Sequence, residues 1–171
     1  MRSTGTPVAY DLRMLQEIAG ASLALGVAVW GPALTGPAHA TTESAAGTGG
    51  LEPALAAAYS LAEQQAHAEG VPLSITSGYR TPEQQEELWQ DGLATYGGPD
   101  EARRWVLPPA ESTHVQGRAV DVGPREGAGW LEANGNRWGL CRTFDNEWWH
   151  FELVTAPGGQ CPPRSPSAAE R

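Results

Sequence analysis

A charged residue, Asp121, lies between two valines in the segment Arg118–Gly123, whose sequence is RAVDVG. The β-branched valines on either side of it predict a strand, and side chains alternate between the two faces of a strand. Val120 and Val122 therefore point to one face and Asp121 to the other. If the valines pack in a core, the carboxylate lies beside that core and needs a cation, several hydrogen-bond donors or a metal ion. The fold of this chain has to provide that partner.

Two histidines lie where they can reach this carboxylate. His114 is in the loop sequence STHVQG, seven residues before Asp121, with Gly117 between them. His150 is in NEWWHFEL, part of a segment that predicts a second strand over residues 147–154. Alternation along that strand gives one face with Trp149, Phe151 and Leu153 and the other with Trp148, His150 and Glu152.

Glu147 precedes His150 by three residues, which would place it on the wrong face of a regular strand. We therefore expect Glu147 in the loop before the strand, or at a bulge, from where it can share a site with His150. Glu152 lies on the predicted face of His150 and is the competing carboxylate. It is expected either to orient a metal ligand or to take the place of Glu147 as a general base.

Two imidazoles and one carboxylate are a typical zinc ligand set, which leaves a fourth position for water. A carboxylate that lies beside the ion without binding it is then suited to accept a proton from that water. The spacing alone also fits a set of ordinary polar residues on strands and loops, because short motifs match by chance. The helical HExxH motif of many zinc peptidases is absent from the sequence.

Helical patterns come first in the chain and strand patterns follow, without the regular alternation of a parallel α/β fold. This order predicts a single α+β domain, with a small antiparallel sheet and N-terminal helices packed on it. One helix start is well defined by Thr81 as the cap, Pro82 in the first turn and Gln84 three residues after the cap. The predicted helices are 51–69, 81–93, 99–106 and 130–138, and the predicted strands are 71–77, 118–123 and 147–154.

The ends of the chain differ in composition from its middle. Arg2 and Arg13 precede an apolar stretch that ends in Ala38-His39-Ala40, which is typical of a secretory signal peptide and its cleavage site. An uncleaved membrane anchor is the alternative. The expected division is a signal peptide over 1–40, a flexible linker over 41–50, the folded domain over 51–162 and a disordered, proline- and serine-rich tail over 163–171.

The two cysteines, Cys141 and Cys161, both follow the predicted signal peptide. An even number of cysteines in an exported chain predicts a disulfide, and the alternative is a pair of zinc thiolates. The formal net charge is −9, and all 11 basic residues are arginine. An acidic chain repels phosphate backbones, so nucleic acid is excluded as an expected partner.

Three segments of the chain contain motifs that are more informative in combination than singly. They are SGYRTPEQQ at 77–85, STHVQGRAVD at 112–121 and NEWWHFE at 146–152. In this order they resemble peptidase family M15, the D-alanyl-D-alanine carboxypeptidases and dipeptidases that include enzymes of glycopeptide resistance. The resemblance covers most of residues 51–154.

The resemblance implies a role for each matching residue. The family pattern S-x-H-x-x-G-x-A-x-D implies His114 and Asp121 as ligands of one Zn²⁺ ion, and E-x-x-H implies His150 as the third ligand. Glu147 would be the general base. Arg80 would stabilise the oxyanion or hold the substrate, with a structural salt bridge as the alternative, and Ser112 would contact the substrate.

The implied activity is zinc-dependent removal of the terminal D-alanine from peptidoglycan stem peptides. Glutamate rather than aspartate in E-W-W-H favours a carboxypeptidase over the phage-type endopeptidases of the family. The alternatives are an L-alanyl-D-glutamate endopeptidase, a D-Ala-D-Ala dipeptidase, and a non-catalytic wall-binding module of the same fold. We expect a monomer that is secreted to the cell wall and has no stable membrane span once the signal is cleaved.

Overall fold

The computed structural model describes residues 47–171, so the predicted signal peptide and most of the predicted linker lie outside the described residues. This part of the chain confirms the predicted α+β class. None of its helices is long and apolar enough to cross a membrane. The helices are α1 (Pro53–Ala68), α2 (Pro82–Tyr96), α3 (Pro99–Ala102) and α4 (Arg125–Asn134), and the strands are β1 (Ser74–Ser77), β2 (Ala119–Gly123), β3 (Leu140–Arg142) and β4 (His150–Leu153).

The four strands form one sheet in the order β1-β2-β4-β3, and every neighbouring pair is antiparallel. Between β2 and β4, Asp121 lies opposite His150, and Ala119 lies opposite Glu152. Residues directly opposite each other in an antiparallel pair share a face of the sheet. This register therefore gathers Asp121, His150 and Glu152 on one face.

The other face of the sheet forms the core. Val120, Val122 and Phe151 are at most 1% exposed, and α1 and α4 both contact the sheet. The helix residues buried in the same cluster are Leu55, Ala58, Tyr59, Ala62, Ala66, Ala128 and Leu131. The valine face of β2 is thus the core face, as its sequence predicts, and Asp121 points away from the core.

The start of α2 follows the predicted capping box. The Thr81 hydroxyl accepts a hydrogen bond from the backbone N–H of Gln84, and the Gln84 side chain accepts one from the backbone N–H of Thr81. Two of the N–H groups at the helix start are satisfied in this way. The box fixes the position of Arg80, which immediately precedes the cap.

Helix α4 and strand β3 differ most from the sequence predictions, and β1, β4 and α3 are each shorter than predicted. Helix α4 begins at Arg125 rather than Trp130, because Gly127 and Gly129 weaken the helical pattern of its first turns. Gly127 is required there, since a Cβ atom would lie 2.2 Å from the carbonyl oxygen of Pro72. Strand β3 was not predicted, because its three residues are too few for an alternating pattern.

The prediction of a disordered tail over 163–171 is wrong. Ser165 pairs with Phe144 in a parallel bridge, and Arg164 forms ion pairs with Asp145 and Glu132. The predicted disulfide is present, with Cα atoms 5.7 Å apart, and it ties Cys161 to Cys141 on β3. Ionic and backbone contacts order this segment, and composition alone gives no signal for them.

Candidate metal centre

A turn at Gly117 directs the His114 side chain towards the sheet. Gly117 has φ +67°, and a Cβ atom there would lie 2.5 Å from the carbonyl oxygen of Gly50, so only glycine fits this position. The Nδ1 atom of His114 lies 2.8 Å from the carbonyl oxygen of Gly78. A carbonyl only accepts hydrogen bonds, so Nδ1 carries the proton and Nε2 keeps a free lone pair. That lone pair is available to a metal ion.

Three buried donor atoms meet at one point. The Nε2 atom of His114 lies 3.3 Å from Oδ1 of Asp121, and Nδ1 of His150 lies 3.1 Å from the same oxygen. The two imidazole nitrogens are 3.3 Å apart. The structure therefore brings the three predicted metal ligands together as a nearly equilateral triangle.

The size of this triangle fits a zinc ion. A tetrahedral zinc ion with bonds of about 2.0–2.1 Å holds its ligand atoms roughly 3.3–3.4 Å apart, close to the three distances found here. Among the residues that the structure describes, His114, Asp121 and His150 are the group of His, Cys, Asp and Glu side chains that can hold a metal ion. Both cysteines are in the disulfide, which rules out zinc thiolates.

Glu147 lies in the loop before β4, as its position relative to His150 predicts. It is only 6% exposed, and its Oε2 atom lies 3.7 Å from Nδ1 of His150. Burial raises the pKa of Glu147 to about 7. A carboxyl group with this pKa can both accept and release a proton near neutral pH.

Arg80 contacts the second oxygen of the predicted ligand Asp121. Its Nη2 atom donates to Oδ2 of Asp121 at 2.7 Å, its Nη1 atom to Gln85 at 3.1 Å and its Nε atom to Ser77 at 3.0 Å. Gln85 is buried and also donates to the carbonyl oxygen of Leu107. The guanidinium is therefore fixed at the wall of the pocket and holds Asp121 with Oδ1 towards the histidines.

Glu152 orients the third predicted ligand. Its Oε1 atom lies 2.9 Å from Nε2 of His150 and accepts a hydrogen bond from Thr113 at 3.2 Å. Its Oε2 atom pairs with the guanidinium of Arg171. The sequence predicts Glu152 as an orienting group, but it misses Thr113 and Arg171, since no local pattern links them to a carboxylate on β4.

The charges of the cluster influence one another. Burial lowers the pKa of His114, which favours the neutral imidazole that a metal ion requires. Burial alone would raise the pKa of Asp121, but His114, His150 and Arg80 lower it well below its ordinary value. Burial also disfavours the charged form of His150, yet hydrogen bonds to Asp121 and Glu152 raise its pKa to about 9. A metal ion bound at this position would take the place of that proton.

A pocket opens over the donor triangle. Its wall includes Ser112, as the predicted substrate contact requires, together with Arg80 and Glu147. Trp149 also lines the pocket, whereas Trp148 packs against the core. The predicted faces of these two tryptophans are therefore reversed, because β4 begins only at His150 and the chain before it does not alternate.

Comparisons with known proteins agree with this arrangement. A family model described as VanY, D-alanyl-D-alanine carboxypeptidase, matches residues 49–156. A D-alanyl-D-alanine carboxypeptidase of Enterococcus faecalis is 32% identical over 114 residues, which are 52% of this chain and 42% of that protein. The chain thus spans less than half the length of this curated relative.

Solved structures share the fold. A variant of the vancomycin-resistance D,D-pentapeptidase VanY, from a VanB-type cassette and in complex with Zn(II), is 28% identical with a TM-score of 0.56, and the match covers 61% of this chain and 73% of that one. VanYB in complex with D-alanine-D-alanine is 28% identical with a TM-score of 0.56, over 61% and 72% of the two chains. An L,D-carboxypeptidase, DacB of Streptococcus pneumoniae, is 26% identical with a TM-score of 0.51, over 62% and 67%.

The family match includes every residue of the donor triangle, together with Arg80, Ser112 and Glu147. It covers more than half of the chain, and the geometry of the site agrees with it. This chain belongs to the VanY family of D-alanyl-D-alanine carboxypeptidases.

Proposed function

We propose that this protein is a zinc-dependent D-alanyl-D-alanine carboxypeptidase that removes the terminal D-alanine of peptidoglycan stem peptides. The observation that carries the proposal is the buried triangle of His114, Asp121 and His150, with the Glu147 carboxylate beside it in the same pocket. The family match and the zinc complex of a similar VanY enzyme support the choice of metal.

In this proposal His114, Asp121 and His150 hold one zinc ion. When bound, zinc polarises the scissile carbonyl group and makes a water molecule more acidic. Glu147 accepts a proton from the attacking water and later donates it to the leaving amine of D-alanine. Its position 3.7 Å from His150 and its pKa of about 7 support both steps.

Arg80 is proposed to stabilise the negative charge that develops on the carbonyl oxygen, or to hold the substrate. Hydrogen bonds to Ser77, Gln85 and Asp121 involve three of its five N–H groups. The guanidinium is thereby held rigid at the pocket wall, and a preorganised charge is more effective than a mobile one. Its contact with Asp121 adds a second role, because it fixes the orientation of a metal ligand. Ser112 is proposed as a further substrate contact.

The proposed location is outside the cytoplasm, after cleavage of a signal peptide over residues 1–40. The Cys141–Cys161 disulfide supports this location, because disulfides persist in oxidising compartments. The substrate is then the peptidoglycan of the cell wall, and the protein is proposed to act as a monomer. The peptidase domain is proposed to extend over residues 51–162.

A defined stem pentapeptide ending in D-Ala-D-Ala tests the activity. We expect the zinc-loaded protein to release one D-alanine, the chelated protein to release none, and added zinc to restore release. No cleavage by the zinc-loaded protein would contradict the proposal and favour a wall-binding module.

A second candidate function is cleavage of the next bond, as in an L,D-carboxypeptidase. DacB of Streptococcus pneumoniae carries that name and shares this fold at 26% identity. A stem tetrapeptide with a single terminal D-alanine separates the two activities. Loss of one residue from the tetrapeptide but not from the pentapeptide would favour the second candidate. Release of D-Ala-D-Ala would favour the dipeptidase, and an internal cut would favour the endopeptidase.

A further inference from the structure

We propose that Arg171 is a positioning residue of the metal centre, which holds the buried Glu152 carboxylate in the orientation that fixes the His150 ring. This inference rests on the metal site of the proposed function and extends it. The family model ends at residue 156, so Arg171 lies in a part of the chain that the family match does not cover. We call residues 162–171 the return segment.

Glu152 is a buried carboxylate that needs a partner for each of its oxygens. This carboxylate has a side chain only 5% exposed, and a buried carboxylate is costly unless both oxygens have partners. His150 and Thr113 contact Oε1, and the guanidinium of Arg171 contacts Oε2. Arg171 thus supplies the positive charge that pairs with the second oxygen.

Glu152 contacts the proposed metal site through the His150 ring. A histidine ring binds a metal through one nitrogen, and a partner on its other nitrogen fixes both the tautomer and the ring orientation. Here Nε2 of His150 faces Glu152, so the Nδ1 lone pair faces Asp121 and His114. If Glu152 moves, the ring is free to rotate about its Cβ–Cγ bond and Nδ1 leaves the triangle.

The path of the return segment keeps Arg171 beside Glu152. Cys141 lies opposite Glu152 on the neighbouring strand, so its side chain projects from the face of the sheet that carries the site. The disulfide to Cys161 therefore leads the return segment along this face. The Phe144 ring contacts both Arg171 and His150, with the guanidinium carbon 5.3 Å and the centre of the imidazole 5.1 Å from the centre of the ring.

Zinc affinity, measured by competition with a chromophoric chelator, tests the proposal without any assay of activity. We expect Arg171→Ala to weaken zinc binding by roughly 10- to 100-fold, the range typical of groups that orient a metal ligand. Arg171→Lys should lose less, because it keeps the charge. Arg164→Ala is the matched control, since Arg164 belongs to the return segment but pairs with Asp145 and Glu132, and we expect its zinc affinity to stay at the wild-type value.

Coupling to Glu152 separates positioning from general loss of structure. If Arg171 acts through Glu152, then Arg171→Ala should have little further effect on zinc affinity in a Glu152→Gln background. The visible absorption spectrum of the cobalt(II)-loaded protein should also change in Arg171→Ala and remain unchanged in Arg164→Ala. Circular dichroism checks that each variant is folded, and Arg171→Lys serves if Arg171→Ala is not.

Three results would overturn the inference. The first is wild-type zinc affinity in Arg171→Ala, and the second is an equal loss of affinity in Arg164→Ala. The third is a double variant of Arg171→Ala and Glu152→Gln whose loss of affinity is the product of the two single losses. The last two results would mean that the return segment affects zinc binding only because it is attached to the domain, and not through the contact of Arg171 with Glu152. If the wild-type protein itself fails to bind zinc, the proposed function fails first and this inference fails with it. The two failures are therefore distinguishable.

Discussion

The buried carboxylates of the site differ in their partners, and this difference separates their roles. Asp121 and Glu152 each pair one oxygen with an arginine and the other with histidine. Among residues 47–171, Glu147 forms an ion pair only with His150, at 3.7 Å. The two carboxylates that pair with arginine are held ionised and fixed, whereas Glu147 has a raised pKa and is the one suited to exchange a proton.

Replacement of the proposed base tests this division. We expect Glu147→Gln to bind zinc as tightly as the wild type but to lose about 10²- to 10⁴-fold in kcat, because the amide cannot accept a proton. Zinc content and release of D-alanine measure the two properties. Glu87→Gln, at an exposed position on α2, should leave both unchanged. An active Glu147→Gln enzyme would mean that Glu152 or another group is the base.

The three residues of the donor triangle were predictable from the sequence, but the residues that hold Glu152 beside them were not. Asp121 stands out as a charge within a strand, and the histidines match family motifs, so local patterns identify all three. Thr113 and Arg171 meet Glu152 only in the folded chain, 39 and 19 residues away in sequence. Such contacts leave no local signature, because any polar residue on a loop has the same pattern.

The sheet and one loop turn assemble the site from separate elements. Strands β2 and β4 place Asp121 opposite His150, and the loop before β2 returns His114 to the same face. A shift of register by one residue would move the polar side chains into the core. The sequence predicts β2 and β4 by their alternation, but the short β3 and the glycine-containing α4 are defined by tertiary contacts.

The turn that carries His114 should tolerate no side chain at Gly117. We expect Gly117→Ala to destabilise the fold by about 1–2 kcal/mol from its positive φ alone, with an added clash against Gly50. Gly129→Ala is the matched control, because a Cβ at this helical position meets no atom within 4 Å apart from its chain neighbours and the backbone of its own helix. It should stabilise by about 0.5–1 kcal/mol. Urea unfolding measures the free energy of unfolding of both variants. Equal stability of the two would contradict the requirement for glycine at position 117.

One covalent bond and the ion pairs of the return segment attach residues 161–171 to the rest of the described chain. The disulfide joins residues 20 apart in sequence, and Arg164 and Arg171 then contact Glu132, Asp145 and Glu152. The sequence predicts the disulfide from the number of cysteines. It does not predict the ordered segment, because proline- and serine-rich composition normally accompanies disorder.

Removal of the disulfide tests its contribution to the whole fold. A Cys141→Ser, Cys161→Ser protein should lose about 3 kcal/mol in free energy of unfolding, because the closed loop restricts the unfolded chain. Denaturant unfolding with and without reductant measures this loss. The double variant should no longer respond to reductant, and a wild-type protein of unchanged stability in reductant would contradict the prediction.

Metal removal should also lower the stability of the whole domain. Free zinc at 100 times its dissociation constant should stabilise the folded state by about 2.7 kcal/mol, because it binds only that state. Thermal unfolding with zinc and with chelator gives the difference in Tm. The variant His150→Ala should show a much smaller difference, and a zinc effect of wild-type size in that variant would argue against the assigned ligand.

The two outer strands of the sheet are short, with four residues in β1 and three in β3. An outer strand offers unpaired N–H and C=O groups to other molecules, and long flat ones promote aggregation. Here little backbone is available for pairing between copies, and Cys141 in β3 is tied by its disulfide. Both edges of the sheet are therefore poor templates for pairing with a strand of another molecule, mainly because the edge strands are so short.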